Sequence, residues 1–173
     1  KQIEEKLILH NDSSINFDIK VASCLNSKMI GLDIGKGLRL KFETIKSRIR
    51  RLDTLDINDF EDYPHIQMDL CEFNPRLKKE YDIIFCFSIL EHCYNPWEAC
   101  VNLEKLIKKS GYIIGYVPFL FGYHCPKDLS YQDYFRFTPH SLVSLFPNSS
   151  KVEVFPSRGK IGAALNLITP RYK

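Results

Sequence analysis

Residues 81–87, Tyr-Asp-Ile-Ile-Phe-Cys-Phe, carry one polar side chain in seven positions. A strand with one face in water alternates apolar and polar residues. An uninterrupted apolar run belongs to a strand covered on both faces, which is the environment of a parallel sheet. Two more runs have this character, residues 28–34 (KMIGLDI) and 112–117 (YIIGYV). Weaker strands are predicted at Ile49–Leu55, stopping at Asp56, and at His65–Asp69. Between the buried strands lies a helix with a legible start: Asn95 caps it, Pro96 suits its first turn and Glu98 follows three residues after the cap. Val101, Leu103, Leu106 and Ile107 form its apolar stripe, and Ser110-Gly111 is expected to close it. Thr138-Pro139 opens a short helix through Phe146, Lys151–Phe155 reads as a sixth strand, and Lys160–Leu167 as a final helix. Residues 1–10 read as a short amphipathic helix, part of a helical lead-in over residues 1–27. Short apolar strands alternating with helices specify an α/β fold with a largely parallel sheet.

At 173 residues the chain is long enough for one domain and short for two. No apolar stretch approaches the roughly 18 residues of a membrane helix, so no membrane partner is expected. The chain opens on Lys1, which leaves room for a start upstream. Net charge is +3, too little to imply a nucleic-acid partner. The basic block over residues 36–51 precedes the acidic block over 53–62, and such neighbours are expected to form a self-compensating solvated surface. None of the six cysteines, Cys24, Cys71, Cys86, Cys93, Cys100 and Cys125, forms a Cys-x-x-Cys pair. Reduced thiols in a cytoplasmic protein are the expectation.

In an open α/β sheet, ligands bind beyond the carboxyl ends of the strands. Four predicted strands deliver polar groups to that edge: Asp33 with Gly35 and Gly37, then Asp56, Asp69 and Ser88. Glycines after the first strand let a ligand approach the backbone, and a carboxylate one strand later can hold two ribose hydroxyls. Each carboxylate alone could equally cap a turn. Their joint placement is the informative feature.

The ordered series resembles the S-adenosylmethionine-dependent methyltransferases of the Rossmann-like superfamily. It runs from Gly31-Leu32-Asp33-Ile34-Gly35-Lys36-Gly37 through Met68-Asp69-Leu70 and Tyr81-Asp82-Ile83-Ile84 to Leu90-Glu91-His92 and Asn95-Pro96. It continues in Leu106 to Tyr112 and Val117-Pro118-Phe119. The stretch His124 to Pro126, Asp128 and Asp133-Tyr134-Phe135-Arg136-Phe137-Thr138 resembles a subgroup with a His, Pro, Asp-Tyr-x-Arg-Phe-Thr signature. The resemblance implies a three-layer sandwich over residues 1–173, with strand order 3-2-1-4-5 plus a sixth strand and little room for a seventh. It also implies S-adenosylmethionine as cofactor. Asp33, Gly35 and Gly37 would shape the turn under its methionine part, and Asp56 would hold the ribose. Asp69 and Leu70 would meet the adenine, and Ser88 and Ile89 the sulfonium end. A sulfonium is a cation, so an edge lined with carboxylates suits it.

Methyl transfer to a hydroxyl needs a base, and His92 and His124 are the catalytic candidates. Each could instead be a packing or capping histidine. Glu91-His92 resembles the Glu-His pair that helps bind a metal in some ubiquinone-type O-methyltransferases. The sequence shows no further ligands, so no metal is expected. Residues 118–138 carry seven aromatics and are expected to form a substrate-side loop, with Tyr134 and Arg136 as substrate-binding candidates. For Asp128, Asp133 and Arg136 an internal salt bridge is the competing role. The expected function is methyl transfer to a small-molecule acceptor such as a sugar or surface-polysaccharide precursor. Arg39, at the position of the family's third glycine, and the short C-terminus favour the alternative of a catalytically degenerate scaffold domain. A nucleic-acid methyltransferase ranks third, because no Asn/Asp-Pro-Pro-Tyr-type motif follows the fourth strand.

Overall fold

The computed structural model describes residues 5–9, 17–59, 65–72, 74–75, 78–125 and 131–156. The elements are β1 (Leu7–Leu9), α1 (Phe17–Cys24), β2 (Ile30–Ile34), α2 (Phe42–Lys46), β3 (Arg51–Asp56) and β4 (His65–Gln67). After these come β5 (Tyr81–Phe87), α3 (Pro96–Leu106), β6 (Ile107–Tyr116), α4 (Pro139–Leu145) and β7 (Val152–Val154). The main sheet has the order β4-β3-β2-β5-β6 with every neighbouring pair parallel. Numbered from its first strand, β2, this is the order 3-2-1-4-5 that the sequence led us to expect.

The uninterrupted apolar run of β5 is explained by its two covered faces. Ile84 and Cys86 point to a core shared with Ala99, Cys100, Leu103 and Leu106 of α3 and Leu145 of α4. Ile83 and Phe85 point the other way, to Leu38, Phe42, Ile45 and Ile49 around α2 and Val21 of α1. Ile83, Ile84 and Phe85 are wholly buried. Each such side chain contributes about 1.5–3 kcal/mol by leaving water.

The start of α3 follows its sequence cues, with Asn95 Oδ1 accepting from the Glu98 amide at 3.3 Å and Pro96 in the first turn. Asn95→Ala is therefore expected to cost about 1 kcal/mol, read as a lowered urea midpoint. The end of α3 differs from the expectation. The helix stops at Leu106, and Ser110-Gly111 lies within β6 rather than closing the helix. The Leu106 carbonyl accepts from the Glu80 amide at 3.0 Å, and Ile107 turns extended to pair with Tyr81. Lattice-like pairing with β5 thus takes over before the helix reaches its glycine. Lys108 ties the irregular stretch that follows to Asp82 at 2.9 Å.

Leu7–Leu9 is a strand, not part of a helix, and pairs in parallel with Val152–Val154. Isolated helices of about ten residues are marginal in water, whereas Leu-Ile-Leu finds Val-Glu-Val as a partner. Lys6 Nζ donates to the Pro147 carbonyl at 2.7 Å beside it. The expected sixth strand therefore exists but stands in a two-stranded ribbon apart from the main sheet. The helix expected at Lys160–Leu167 lies outside the described residues.

The opposed charge blocks meet mainly through Arg51, which contacts Asp53 at 3.0 Å and also Glu80. Cys71, Cys86, Cys93 and Cys100 are buried and all six cysteines are free thiols. Among the described residues no helix is long and apolar enough to cross a membrane.

Candidate active site

Asp33 ends β2 in the centre of the sheet and is fully buried. Its carboxylate accepts from the Leu38 amide, at 3.1 and 3.3 Å to its two oxygens. Burial pushes its pKa up to about 7 against those amide bonds, with the nearby Asp56 charge adding a little. The folded chain thus holds a proton on Asp33 that the unfolded chain loses near pH 4. This contribution to stability is full below that pH and disappears as pH rises through about 7. Urea titrations between pH 4 and pH 8 should show the wild type losing stability relative to Asp33→Asn as pH rises. A pH-independent gap between the two proteins would remove Asp33 from this role.

The turn after Asp33 is built for close approach. Gly35 has φ +63°, and a Cβ there would lie 2.4 Å from Ile89 Cδ1. A Cβ on Gly37 would lie 2.9 Å from the Phe87 carbonyl oxygen. The loops after β2 and β5 therefore touch, with the Ile89 side chain packed over Gly35 and Phe87 against Gly37. Lys36, Arg39 and Ser88 also have positive φ, at 52°, 49° and 54°, and strained backbone of this kind collects at functional sites. Asp33, Lys36, Arg39 and Phe42 line a shallow depression on this edge.

Arg39 occupies a left-handed position that favours glycine, at the place where the resemblance leads one to look for one. Arg39→Gly is expected to raise stability by about 0.5–1 kcal/mol, because relief of the left-handed backbone exceeds the added chain entropy. A lowered urea midpoint would show that the arginine side chain holds the turn.

Asp56, at the tip of β3, accepts from the Asn58 amide and side chain at 2.9 and 3.1 Å through Oδ1. Its Oδ2 lies 3.9 Å from where a Gly35 Cβ would stand, so it faces the glycine turn. Asp69 follows β4 and accepts from the Cys71 amide at 2.8 Å. Leu70 is buried, and its carbonyl is held by Asn102 of α3 at 3.0 Å. The Ser88 amide donates to the Tyr116 carbonyl at 2.9 Å, and Ile89 leads into the 3-10 turn Leu90–His92. All eight residues expected to bind the cofactor thus lie at the carboxyl end of the sheet. They offer carboxylate acceptors for hydroxyl and amino donors beside a glycine turn packed by Ile89, a set suited to S-adenosylmethionine.

Beside Ser88 a second cluster assembles from separated stretches of chain. Glu91 is 1% exposed, and burial pushes its carboxyl up to about 7. Its Oε1 lies 4.0 Å from His92 Nε2 and 3.8 Å from His124 Nε2. The two imidazoles meet edge to face at 5.0 Å, and Tyr131 lies 4.5 Å from His92. His92 Nδ1 faces the Gln132 carbonyl at 2.7 Å and His124 Nδ1 faces Asp133 Oδ2 at 3.1 Å. Desolvation lowers the His92 pKa, favouring the neutral ring.

The aromatic connection folds back onto this turn. The Tyr134 and Phe135 amides both donate to the Glu91 carbonyl, at 2.8 and 3.2 Å. Phe137 is buried, whereas Phe119, Tyr123 and Tyr134 stay exposed. Arg136 directs its donors at five acceptors within the chain: the carbonyls of Phe121, Gly122 and Phe135 and both oxygens of Asp133. The internal salt bridge weighed as a role for Arg136 is present, to Asp133. Pro126 and Asp128 of the signature lie outside the described residues. The sequence pointed to His92 and His124 separately; their meeting over Glu91 depends on the fold of the 118–138 connection and was not legible.

Residues 19–115 match the family described as "Methyltransferase domain". Among solved structures, a protein of Rhodobacter sphaeroides described as a Zn-dependent alcohol dehydrogenase aligns with TM-score 0.51 and 14% identity, over 64% of this chain and 48% of its own. YcgJ of Bacillus subtilis aligns with TM-score 0.48 and 20% identity, over 63% and 53%. The N-methyltransferase NodS of Bradyrhizobium japonicum, in complex with S-adenosylhomocysteine, aligns with TM-score 0.41 and 17% identity, over 51% and 52%. The chain spans about half the length of these structures, and at 14% identity the first likeness speaks for the fold alone. No curated protein matches the chain.

Proposed function

Since the chain belongs to the methyltransferase domain family, we propose that it carries a methyl group from S-adenosylmethionine to a small-molecule acceptor. The observation that carries this reading is the row of Asp33, Asp56 and Asp69 along one sheet edge beside the Gly35–Gly37 turn. The bound cofactor would supply a methyl group already activated on a sulfonium. Asp56 would hold the ribose hydroxyls, Asp69 and Leu70 the adenine, and Asp33 the turn that seats the methionine part. Ser88 and Ile89 would flank the reacting end.

The rest of the task is positioning and one proton. Holding the acceptor in line with the methyl group supplies most of the acceleration. A hydroxyl acceptor must also lose its proton, and the Nε2 atoms of His92 and His124 stand ready for it while their Nδ1 atoms are engaged by Gln132 and Asp133. Residues 118–125 and 131–138 form the acceptor-side wall in this reading, with exposed Tyr134 as a contact and Arg136 fixing the wall's shape. The sugar-type acceptor fits a wall rich in exposed aromatic rings. Free buried thiols fit a reducing, cytoplasmic setting.

The scaffold alternative draws on Lys36 and Arg39, two cationic residues lining the depression where a cationic ligand would sit. Labelled S-adenosylmethionine supplied with fractionated cell extract tests the function. Label in a low-mass, enzyme-dependent product supports it. Label only in protein or nucleic acid would refute the small-molecule acceptor, and no transfer to any fraction would favour the scaffold.

A further inference from the structure

We propose that Glu91, His92 and His124 bind one divalent first-row transition-metal ion, with zinc best suited to the donors. Two imidazole nitrogens and one carboxylate oxygen converge within 4.8 Å of one another. They come from two stretches of chain that only the fold brings together. Two histidines and a carboxylate form the three-ligand set of catalytic zinc and non-haem iron sites, which keep positions open for another ligand.

The geometry around the three ligands supports the assignment independently. Glu91 is 1% exposed, and its Oε2 has no hydrogen-bond partner among the described residues. Its Oε1 reaches the histidine nitrogens only at 3.8 and 4.0 Å, too far for hydrogen bonds. A buried carboxylate in that condition is costly, and a cation between it and the two rings would satisfy it. Each ring is also prepared as a ligand. A carbonyl (Gln132) and a carboxylate (Asp133) face the Nδ1 atoms at 2.7 and 3.1 Å. Such acceptors, at His124 closer than the Arg136 Nη2 at 3.4 Å, favour the Nδ1–H tautomer and a lone pair on Nε2, the usual outer shell of a metal-bound histidine. Arg136 is close by, but its charge is matched by Asp133. With metal–ligand bonds of about 2.0–2.2 Å, ligand atoms stand about 3.0–3.5 Å apart, so the Glu91 contacts at 3.8 and 4.0 Å need to tighten by roughly 0.3–1 Å and the widest separation, within 4.8 Å, by up to about 1.8 Å.

Binding of the ion does not rest on the proposed function; its consequence for the acceptor does. With an ion in place, the imidazoles serve as ligands instead of as the base, and the open position would take an oxygen of the acceptor.

Metal-stripped full-length protein should be titrated with Zn²⁺ by calorimetry and with Co²⁺ by visible absorption, without cofactor or acceptor. The expected result is one saturable ion per chain, with d–d bands and no thiolate charge-transfer band. Affinity should fall at least tenfold in both His124→Gln and Glu91→Gln. His124→Gln lies on the loop, and circular dichroism checks its fold should Glu91→Gln not survive purification. No saturable binding would overturn the site. So would a thiolate band, or affinity unchanged in folded His124→Gln. Calorimetry with S-adenosylmethionine on the same metal-stripped protein separates the two readings: cofactor binding without metal binding overturns only the metal site, and metal binding without cofactor binding only the proposed function.

Discussion

Asp56→Ala is expected to weaken S-adenosylmethionine binding by roughly ten- to a hundredfold, the equivalent of about 1.5–3 kcal/mol for a lost hydrogen-bond acceptor that carries charge. The side chain does two things in the structure. Its Oδ1 holds the Asn58 turn at 2.9 and 3.1 Å, and its Oδ2 faces the glycine turn. Only the second bears on the ligand. Asn58→Ala separates them, because it removes one contact to Oδ1 and leaves the carboxylate in place. Calorimetry should show near wild-type affinity for Asn58→Ala and a large loss for Asp56→Ala. Equal affinities in Asp56→Ala and the wild type would show that the ribose is held elsewhere.

Arg136→Ala is expected to cost about 2–3 kcal/mol of stability. The upper part of the range for a broken buried ion pair is 3–5 kcal/mol, reduced here because Arg136 is itself 25% exposed. Its partner Asp133 is 1% exposed and would remain as a charge supported only by His124. The carbonyls of Phe121, Gly122 and Phe135 would lose a donor at the same time. Arg136→Lys should recover little, since a point-like ammonium cannot reproduce the planar fork that meets five acceptors. Because His124 is positioned through Asp133, turnover should fall further than cofactor affinity. Asp133 also gives the effect a pH signature. Its pKa is lowered to about 2 by Arg136 and the groups around it, despite burial. The stabilisation it contributes is present above about pH 4 and lost as pH falls through 2. A denaturation midpoint insensitive to Arg136→Ala at neutral pH would contradict this arrangement.

The parts of this molecule that were legible in sequence are those set by local chemistry. Buried apolar runs gave β5 and β2, and the Asn95-Pro96 cap placed the start of α3; the run at 112–117 is a strand as expected but not a buried one, since β6 closes the sheet as an edge strand with Tyr112 and Tyr116 exposed. Carboxylates at strand ends stayed at strand ends, because a parallel sheet delivers every such residue to the same edge. Two failures have a common cause. At Leu7–Leu9 and at Ile107, where the helix ends, pairing with a distant strand overrides the preference of the local residues. The same limit hid the second cluster. Glu91 looks like one charged residue in a turn, and nothing in its neighbours shows that His124 arrives against it. The amides of Tyr134 and Phe135, closing on the Glu91 carbonyl, fix that meeting together with the contacts of Gln132 to His92 and Asp133 to His124.

The central claim is that the Asp33, Asp56 and Asp69 edge holds S-adenosylmethionine, and calorimetric titration of the wild-type chain with this cofactor and with S-adenosylhomocysteine tests it most directly. Saturable binding of one molecule of either ligand per chain is expected, with binding of both weakened by Asp56→Ala. Absence of heat for both ligands, with the protein shown to be folded, would contradict it.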